Sequence, residues 1–253
     1  LYARPDYFYI PNYQTGLLDN SWLDVFHTPD FYGSDYFGKL IKDGTGQTSS
    51  KGILSIDLPA IPESDAGQLV TIEVTAQDES GQPVSARTEL HVHPADFYIG
   101  LHPDQWFGTA KTEIGFDVLT VNWSKEPSGD KPLTAEFKQV RWEKETDSFG
   151  FPTYTPVYTP VSSSNLATGP DGRARLSFIP PTAGTYMLNV SGSGARTQTL
   201  IWVGGAGSAA WADLPNQRLQ LTADKDNYKA GDTANIFIPN PFATNALALV
   251  TVE

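Results

Sequence analysis

Cysteine is absent from this 253-residue chain, and its absence removes several chemistries at once. There can be no disulfide, no Cys-ligated zinc, no thiol nucleophile and no thioester made from a cysteine side chain. Basic residues are scarce as well: 17 Lys and Arg stand against 29 Asp and Glu, a formal net charge of −12. A phosphate-binding groove needs clustered Lys and Arg, so nucleic acid and anionic membrane surfaces are poor partners. No apolar run reaches the ~18–20 residues of a membrane span, and no signal peptide opens the chain. Residue 1 is Leu rather than Met, and Leu1-Tyr2-Ala3-Arg4-Pro5 reads like the middle of a strand. The expectation is a fragment whose targeting signals lie outside it. Lack of cysteine fits an extracytoplasmic bacterial protein, periplasmic, cell-surface or secreted, although many cytosolic proteins lack it too.

Apolar residues make up 40% of the chain and aromatics 12%, enough for a packed core. With 22 Gly and 19 Pro, the composition suits short strands joined by tight turns rather than long helices. The clearest strand pair runs from Leu69 to Val92. Val70, Ile72, Val74 and Ala76 alternate with Thr71, Glu73, Thr75 and Gln77; after a Gly/Pro turn, Val84, Ala86, Thr88, Leu90 and Val92 alternate with Ser85, Arg87, Glu89 and His91. That period predicts a half-buried β-hairpin. The same grammar recurs about 110–120 residues later. Gly52 precedes Leu54, Ile56 and Leu58, as Gly172 precedes Ala174, Leu176 and Phe178. Gly67-Gln68-Leu69 corresponds to Gly184-Thr185-Tyr186, and Thr88–Val92 to Thr199–Val203. A third start, Leu221-Thr222-Ala223-Asp224, echoes Leu101-His102-Pro103-Asp104. The fold class expected is all-β: tandem immunoglobulin/fibronectin-III-like β-sandwiches. The expected modules are 1–94 and 95–204, a Gly/Ala-rich linker at 205–215, and the start of a third at 216–253. His93-Pro94-Ala95-Asp96 is the expected hinge. An isolated strand pair in the third unit is marginal in water, so it is expected to lean on its neighbour.

Few residues suggest chemistry. Asp224 and Asp226 form a D-x-D, but Tyr228 and Asn235 stand where a calcium loop wants other residues, so a polar turn is expected. His27, His91, His93 and His102 lack metal-ligand spacing. Val190-Ser191-Gly192-Ser193-Gly194 lacks the serine-hydrolase elbow pattern. Asn122-Trp123-Ser124 and Asn189-Val190-Ser191 match the short glycosylation acceptor. Eleven aromatics fall within the first forty residues: Tyr2, Tyr7, Phe8, Tyr9, Tyr13, Trp22, Phe26, Phe31, Tyr32, Tyr36 and Phe37. They suit core or inter-domain packing, and alternatively a stacking face for sugar rings. Between Phe149 and Val161, Pro152, Pro156 and Pro160 demote the segment to an edge strand or extended arm; a protease could enter an extended arm, whereas a hairpin arm would be guarded by its prolines. No catalytic, cofactor-binding or metal residue is expected, no cofactor, and no enzyme activity.

The repeat resembles the macroglobulin domains of the α-2-macroglobulin family, most closely its bacterial members. Asp224-Lys225-Asp226-Asn227-Tyr228-Lys229-Ala230-Gly231-Asp232-Thr233 matches the family's module-opening pattern; Pro241-Phe242 and Ala246–Glu253 look like the next two strands. Asp171-Gly172, Phe178, Pro181, Gly184 and Tyr186 fit the second half of a module. The resemblance implies macroglobulin β-sandwiches from a broad-spectrum endopeptidase inhibitor, in which cleavage of a bait segment triggers a shape change that traps the protease, often through a thioester. Without Cys the thioester motif is not here, and the bait is expected beyond the equivalent of Glu253. The implied role is a scaffold whose partners are proteases, through the full-length protein, and neighbouring macroglobulin domains. The alternative is a cell-surface adhesin or carbohydrate-binding stalk of Ig-like repeats.

Overall fold

The computed structural model describes residues 1–18, 38–57, 67–77, 81–146, 150, 152–205, 221–238, 247 and 249–250. In chain order the strands are β1 (Tyr2–Asp6), β2 (Gln14–Thr15), β3 (Lys39–Leu40), β4 (Gly67–Gln77), β5 (Pro83–Val92), β6 (Tyr98–Pro103), β7 (Phe107–Thr109), β8 (Ile114–Val121), β9 (Pro132–Thr146), β10 (Pro152–Ala167), β11 (Arg173–Phe178), β12 (Gly184–Gly192), β13 (Ala195–Gly204), β14 (Thr222–Ala223) and β15 (Ile236–Phe237). No helix occurs among the described residues. The fold is all-β, as the alternation and the turn-rich composition predict.

Two sheets face each other, one ordered β10-β9-β12-β13-β7 and the other β11-β8-β6-β2; all their strands lie between Phe97 and Gly204 except β2, which the N-terminal segment adds beside β6. All neighbours are antiparallel except β7, which runs parallel to β13 through Trp202↔Phe107. This is the two-layer arrangement of immunoglobulin-like sandwiches. Period two decides what fills the gap: Leu133, Ala135 and Phe137 of β9, Tyr186, Leu188 and Val190 of β12, and Ile201 and Val203 of β13 all point inward and are buried. Phe116, Leu176 and Phe178 meet them from the opposite sheet. Phe137 stacks on Phe178 at 4.1 Å between ring centroids, and Tyr186 closes on Phe178 edge-on at 5.3 Å.

The Gly-x-Tyr signature has a physical role in this copy. Tyr186 is fully buried, yet its hydroxyl donates to the Thr182 carbonyl at 2.8 Å and accepts from the Thr182 amide at 3.3 Å. The ring fills the core while the polar tip ties down the preceding corner. At Asp171-Gly172, Gly172 has φ +74°, and a Cβ there would lie 2.5 Å from the Thr120 carbonyl oxygen. Only glycine accepts both constraints. Ser193 (φ 46°) and Gly194 (φ 86°) form the two-residue turn between β12 and β13, where Gly192 pairs with Ala195. The Gly-Ser-Gly sequence is thus a hairpin turn.

The proline-spaced segment is β10, the edge strand of its sheet, paired with β9 from Ala167↔Pro132 to Pro152↔Thr146. Strand β12 pairs with β9 only from Thr134 to Val140. The β9/β10 ribbon therefore continues past the sandwich for Arg141–Thr146, about 20 Å at ~3.3 Å per residue. Pro152, Pro156 and Pro160 share one phase of the ladder, opposite Thr146, Trp142 and Lys138. A proline fits a ladder where its nitrogen points away from the partner, so all three strip donors from the outer edge. The hairpin-arm reading holds for this ribbon, whose backbone is paired rather than free; tip residues 147–149 and 151 lie outside the described residues.

The first copy differs from the expectation. Its sheet, β3-β1-β4-β5, has the same order as β10-β9-β12-β13. The hairpin's faces separate as the alternation predicts: Val70/Leu90, Ile72/Thr88, Val74/Ala86 and Ala76/Val84 share one face, while Glu73–Arg87 (2.9 Å) and Thr75–Ser85 (2.9 Å) bond on the other. Val70 is buried, but Val74, Val84 and Leu90 are exposed, Val84 at 70%. The hairpin is not half-buried along its length, because among the described residues no second sheet faces it. Residues 52–57 also form no strand, unlike β11; β11 pairs with β8, and the described part of the first copy offers no counterpart of β8. Leu58 lies outside the described residues.

Substituting Tyr186→Phe should lower stability by about 1 kcal/mol, the cost of a buried hydroxyl's hydrogen bonds. Phe137→Ala should cost about 3–5 kcal/mol by opening a core cavity. Urea denaturation followed by circular dichroism measures both; a neutral Tyr186→Phe would remove the corner from the account.

Candidate functional site

The described residues singled out for chemistry are spread over separate turns, strands and joints. Asn189 is buried, its amide engaged by Glu136, Arg196 and Gln198, so it is closed to glycosylation in the folded chain. Asn122 folds a turn, its Oδ1 accepting from the amides of Ser124 and Glu126, both at 3.0 Å. No group of three or more potential metal ligands occurs among the described residues. His27, Trp22, Phe26, Phe31, Tyr32, Tyr36, Phe37, the possible turn at Asp213–Gln217, Pro241-Phe242 and most of the Gly/Ala-rich linker lie outside them. No described helix is long and apolar enough to cross a membrane.

Structure concentrates instead at two joints. At the first, Val92 leads through His93-Pro94-Ala95-Asp96 into β6. His93 Nδ1 lies 2.8 Å from the Tyr98 hydroxyl, and its ring stacks on Trp123 at 4.5 Å. Trp123 Nε1 donates to the Ala95 carbonyl at 2.8 Å. Tyr98 stacks face to face with Phe8 at 3.8 Å, and His91 Nδ1 lies 2.7 Å from Asp6 Oδ2. Burial first, then the Asp6 charge, pushes the Tyr98 hydroxyl up to about 12. Burial first, then the neighbouring His91, lowers His93 below its ordinary value, against a smaller opposing pull from Asp6. The segment after β1 then crosses to the sandwich. Gln14 and Thr15 pair with Leu101 and Gly100, the Gly16 amide donates to Thr197 Oγ1 at 3.1 Å, and the Gln198 amide donates to the Gly16 carbonyl at 2.9 Å. Of the N-terminal aromatics, Phe8 and Tyr13 pack against buried Ile10, Tyr98, Leu119 and Val121, whereas Tyr7 and Tyr9 are exposed. A cavity of about 240 Å³ remains at this joint, lined by Phe8, Leu17, Pro94, Tyr98 and Arg196 among others.

The second joint seats residues 221–238. Trp106 Nε1 donates to Asp226 Oδ1 at 2.9 Å, and Phe107 stacks on Phe237 at 5.6 Å. The short pair β14–β15 leans on the sandwich, as its marginal size requires. The D-x-D is split between two structural tasks. Asp226 faces Trp106, while Asp224 turns inward and accepts from the Tyr228 hydroxyl, the Asn235 amide at 3.1 Å and Asn235 Nδ2 at 3.0 Å. Bonds from Tyr228 first, then Asn235, hold the Asp224 carboxyl down at about 2. The same bond raises the Tyr228 hydroxyl. Asp232 closes the turn by accepting from the Lys229 amide at 3.0 Å. The Asp, Tyr and Gly-Asp positions of the module-opening pattern are thus a self-contained hydrogen-bonded turn.

No protein-family profile matches the chain. Among curated proteins it is 23% identical over 219 residues to the α-2-macroglobulin homolog of Nostoc sp., covering 83% of this chain. It is 24% identical over 265 aligned positions to the α-2-macroglobulin of Rickettsia conorii, covering 99% of this chain. The chain is thus similar, along most of its length, to bacterial α-2-macroglobulins. It spans 11% and 13% of the lengths of those two bacterial relatives. Among solved structures, the native conformation of Escherichia coli α-2-macroglobulin superposes with a TM-score of 0.49 at 18% identity, over 90% of this chain and 15% of that one. The adhesin reading is not favoured beside these relatives. The joint contacts were beyond sequence reasoning: His91 and Asp6 are 85 residues apart, Trp106 and Asp226 are 120 apart, and neither pair carries a local signal.

Because the folded Asp224 pKa is depressed, its contribution is complete above the unfolded value of 3.8 and is lost as pH falls through about 2. The amide signal of Asn235, followed by NMR from pH 5 to 1.5, should move through that window. In Asp224→Asn the acid limb should flatten; an unchanged limb would mean that another carboxylate holds the turn.

Proposed function

We propose that this chain is a non-catalytic scaffold segment of a protease-trapping α-2-macroglobulin, dividing into units at 1–94 and 95–204, a linker at 205–215 and a further unit from 216. The observation that carries the reading is the match along 99% of the chain to an α-2-macroglobulin of which it makes up 13%. The physical character of the joints supports it. Trapping needs rigid units that shift relative to one another, and units tied by a few directional contacts do so at modest cost. In this reading bait and thioester belong to other parts of the parent protein, and proteases are met by the parent rather than by these residues. The site is extracytoplasmic, in keeping with a cysteine-free, acidic chain and with the bacterial relatives.

The chain alone, at a large molar excess over a serine endopeptidase, should leave cleavage of both a peptide and a protein substrate unchanged. The full-length parent should protect the protein substrate selectively. Inhibition or substrate turnover by the isolated chain would contradict the scaffold reading. Brief proteolysis should cut first within 205–215; an early cut inside β12 or β13 would contradict the division.

A further inference from the structure

We propose that the outer edge of β5 is a self-complementary docking surface, along which a second copy of this chain adds its own β5 in antiparallel register about Thr88. The surface belongs to the first sheet alone and is independent of what the parent molecule captures.

Strand β5 is the last of β3-β1-β4-β5 and is ten residues long, and among the described residues no strand lies on its far side. Such an edge is a template for another strand unless something blocks it. The other long edges are closed: β7 runs along β13 through Trp202↔Phe107, and prolines strip donors from β10. On β5 the proline comes at the end. Pro83 pairs with Gln77, and without an N–H it fits only where the backbone groups turn away from β4. The ladder continues from there to Val92 without a shift of register, so Ser85, Arg87, Glu89 and His91 share the phase of Pro83. Their backbone N–H and C=O groups therefore point out of the sheet edge.

Side chains decide what that edge accepts. In an antiparallel pair, outward-pointing groups must meet outward-pointing groups, so a slip by one residue is excluded. A two-fold axis at Thr88 sets Arg87 of each copy opposite Glu89 of the other. Moving the register by two residues in either direction would set Arg87 on Arg87 or Glu89 on Glu89. Arg87 bonds Glu73 of β4 at 2.9 Å, so the pairing extends a row of alternating charge, Glu73–Arg87–Glu89, across the junction. On the opposite face Ala86 meets Leu90, Val84 meets Val92, and Thr88 meets its own copy. Val84, Val74 and Leu90 are exposed in the single chain, and this register carries their apolar face on from one sheet to the next. The interface is isologous and uses the same edge in both copies, so it closes at two. Contact along one strand covers less area than a standard interface, so the dimer is weak and forms at high concentration.

Absence of native cysteine makes the register directly testable. Thr88→Cys brings two thiols across the axis in a non-hydrogen-bonded pair, about 4.5 Å between Cα atoms, within disulfide reach. Ala86→Cys, equally exposed and on the same face, sets them about 13 Å apart along the strand, out of reach. Mild oxidation of the concentrated chain should link Thr88→Cys into dimers at least about tenfold faster than Ala86→Cys. Sedimentation equilibrium of the unsubstituted chain should show a dimer that grows with concentration. Glu89→Arg sets like charges opposite each other on both sides of the axis and should weaken that dimer about tenfold. A chain that stays monomeric up to millimolar concentration, equal cross-linking at positions 86 and 88, or a dimer indifferent to Glu89→Arg would each overturn the proposal.

Discussion

Phe137 lies flat against Phe178 across the gap between two sheets, and Tyr186 closes the stack from the side. With no cysteine to link the layers, these rings carry the contact that a disulfide supplies in many immunoglobulin-like domains. Each ring buries a large apolar area, and the Tyr186 hydroxyl turns part of that burial into a fixed corner at Thr182. Once this core is set, β9 has a rigid base from which to project with β10. The start of β13 is likewise positioned to receive Gly16 and Leu18 through Thr197 and Gln198.

What attaches to that core is held differently. The first sheet meets it through one tyrosine, one histidine, two further rings and a short run of backbone bonds. The contacts of the segment from 221 to 238 with it include the Trp106–Asp226 bond and the Phe107–Phe237 stack. Such contacts fix an angle while they last and cost little to undo, because they bury far less apolar surface than the core does.

Much of this was legible in the sequence, and the limits have physical causes. Alternation from Val70 to Val92 assigned every side chain of the hairpin to its face. It could not say what covers that face, and Val84 is bare because period two encodes a side, not a neighbour. The prolines of β10 predicted an edge because a missing donor has the same consequence in any sheet. Gly184-x-Tyr186 was readable as a repeat, while its corner bond depends on a backbone conformation no spacing reveals. Asp6 with His91, and Trp106 with Asp226, were out of reach because each pair joins residues from separate turns of the chain.

The central claim is a gradient: one rigid sandwich, with flanking elements that open independently of it. Native-state hydrogen exchange on the whole chain tests it most directly, since it reports opening free energy segment by segment. Amides of β9 and β12 from Phe137 to Val140 and Thr185 to Val190 should exchange only on global unfolding. Those of β5 and of residues 222–237 should exchange by local opening at least a hundredfold faster, about 2.7 kcal/mol. Equal protection across all of them would contradict the account, because it would make the chain one cooperative body without joints.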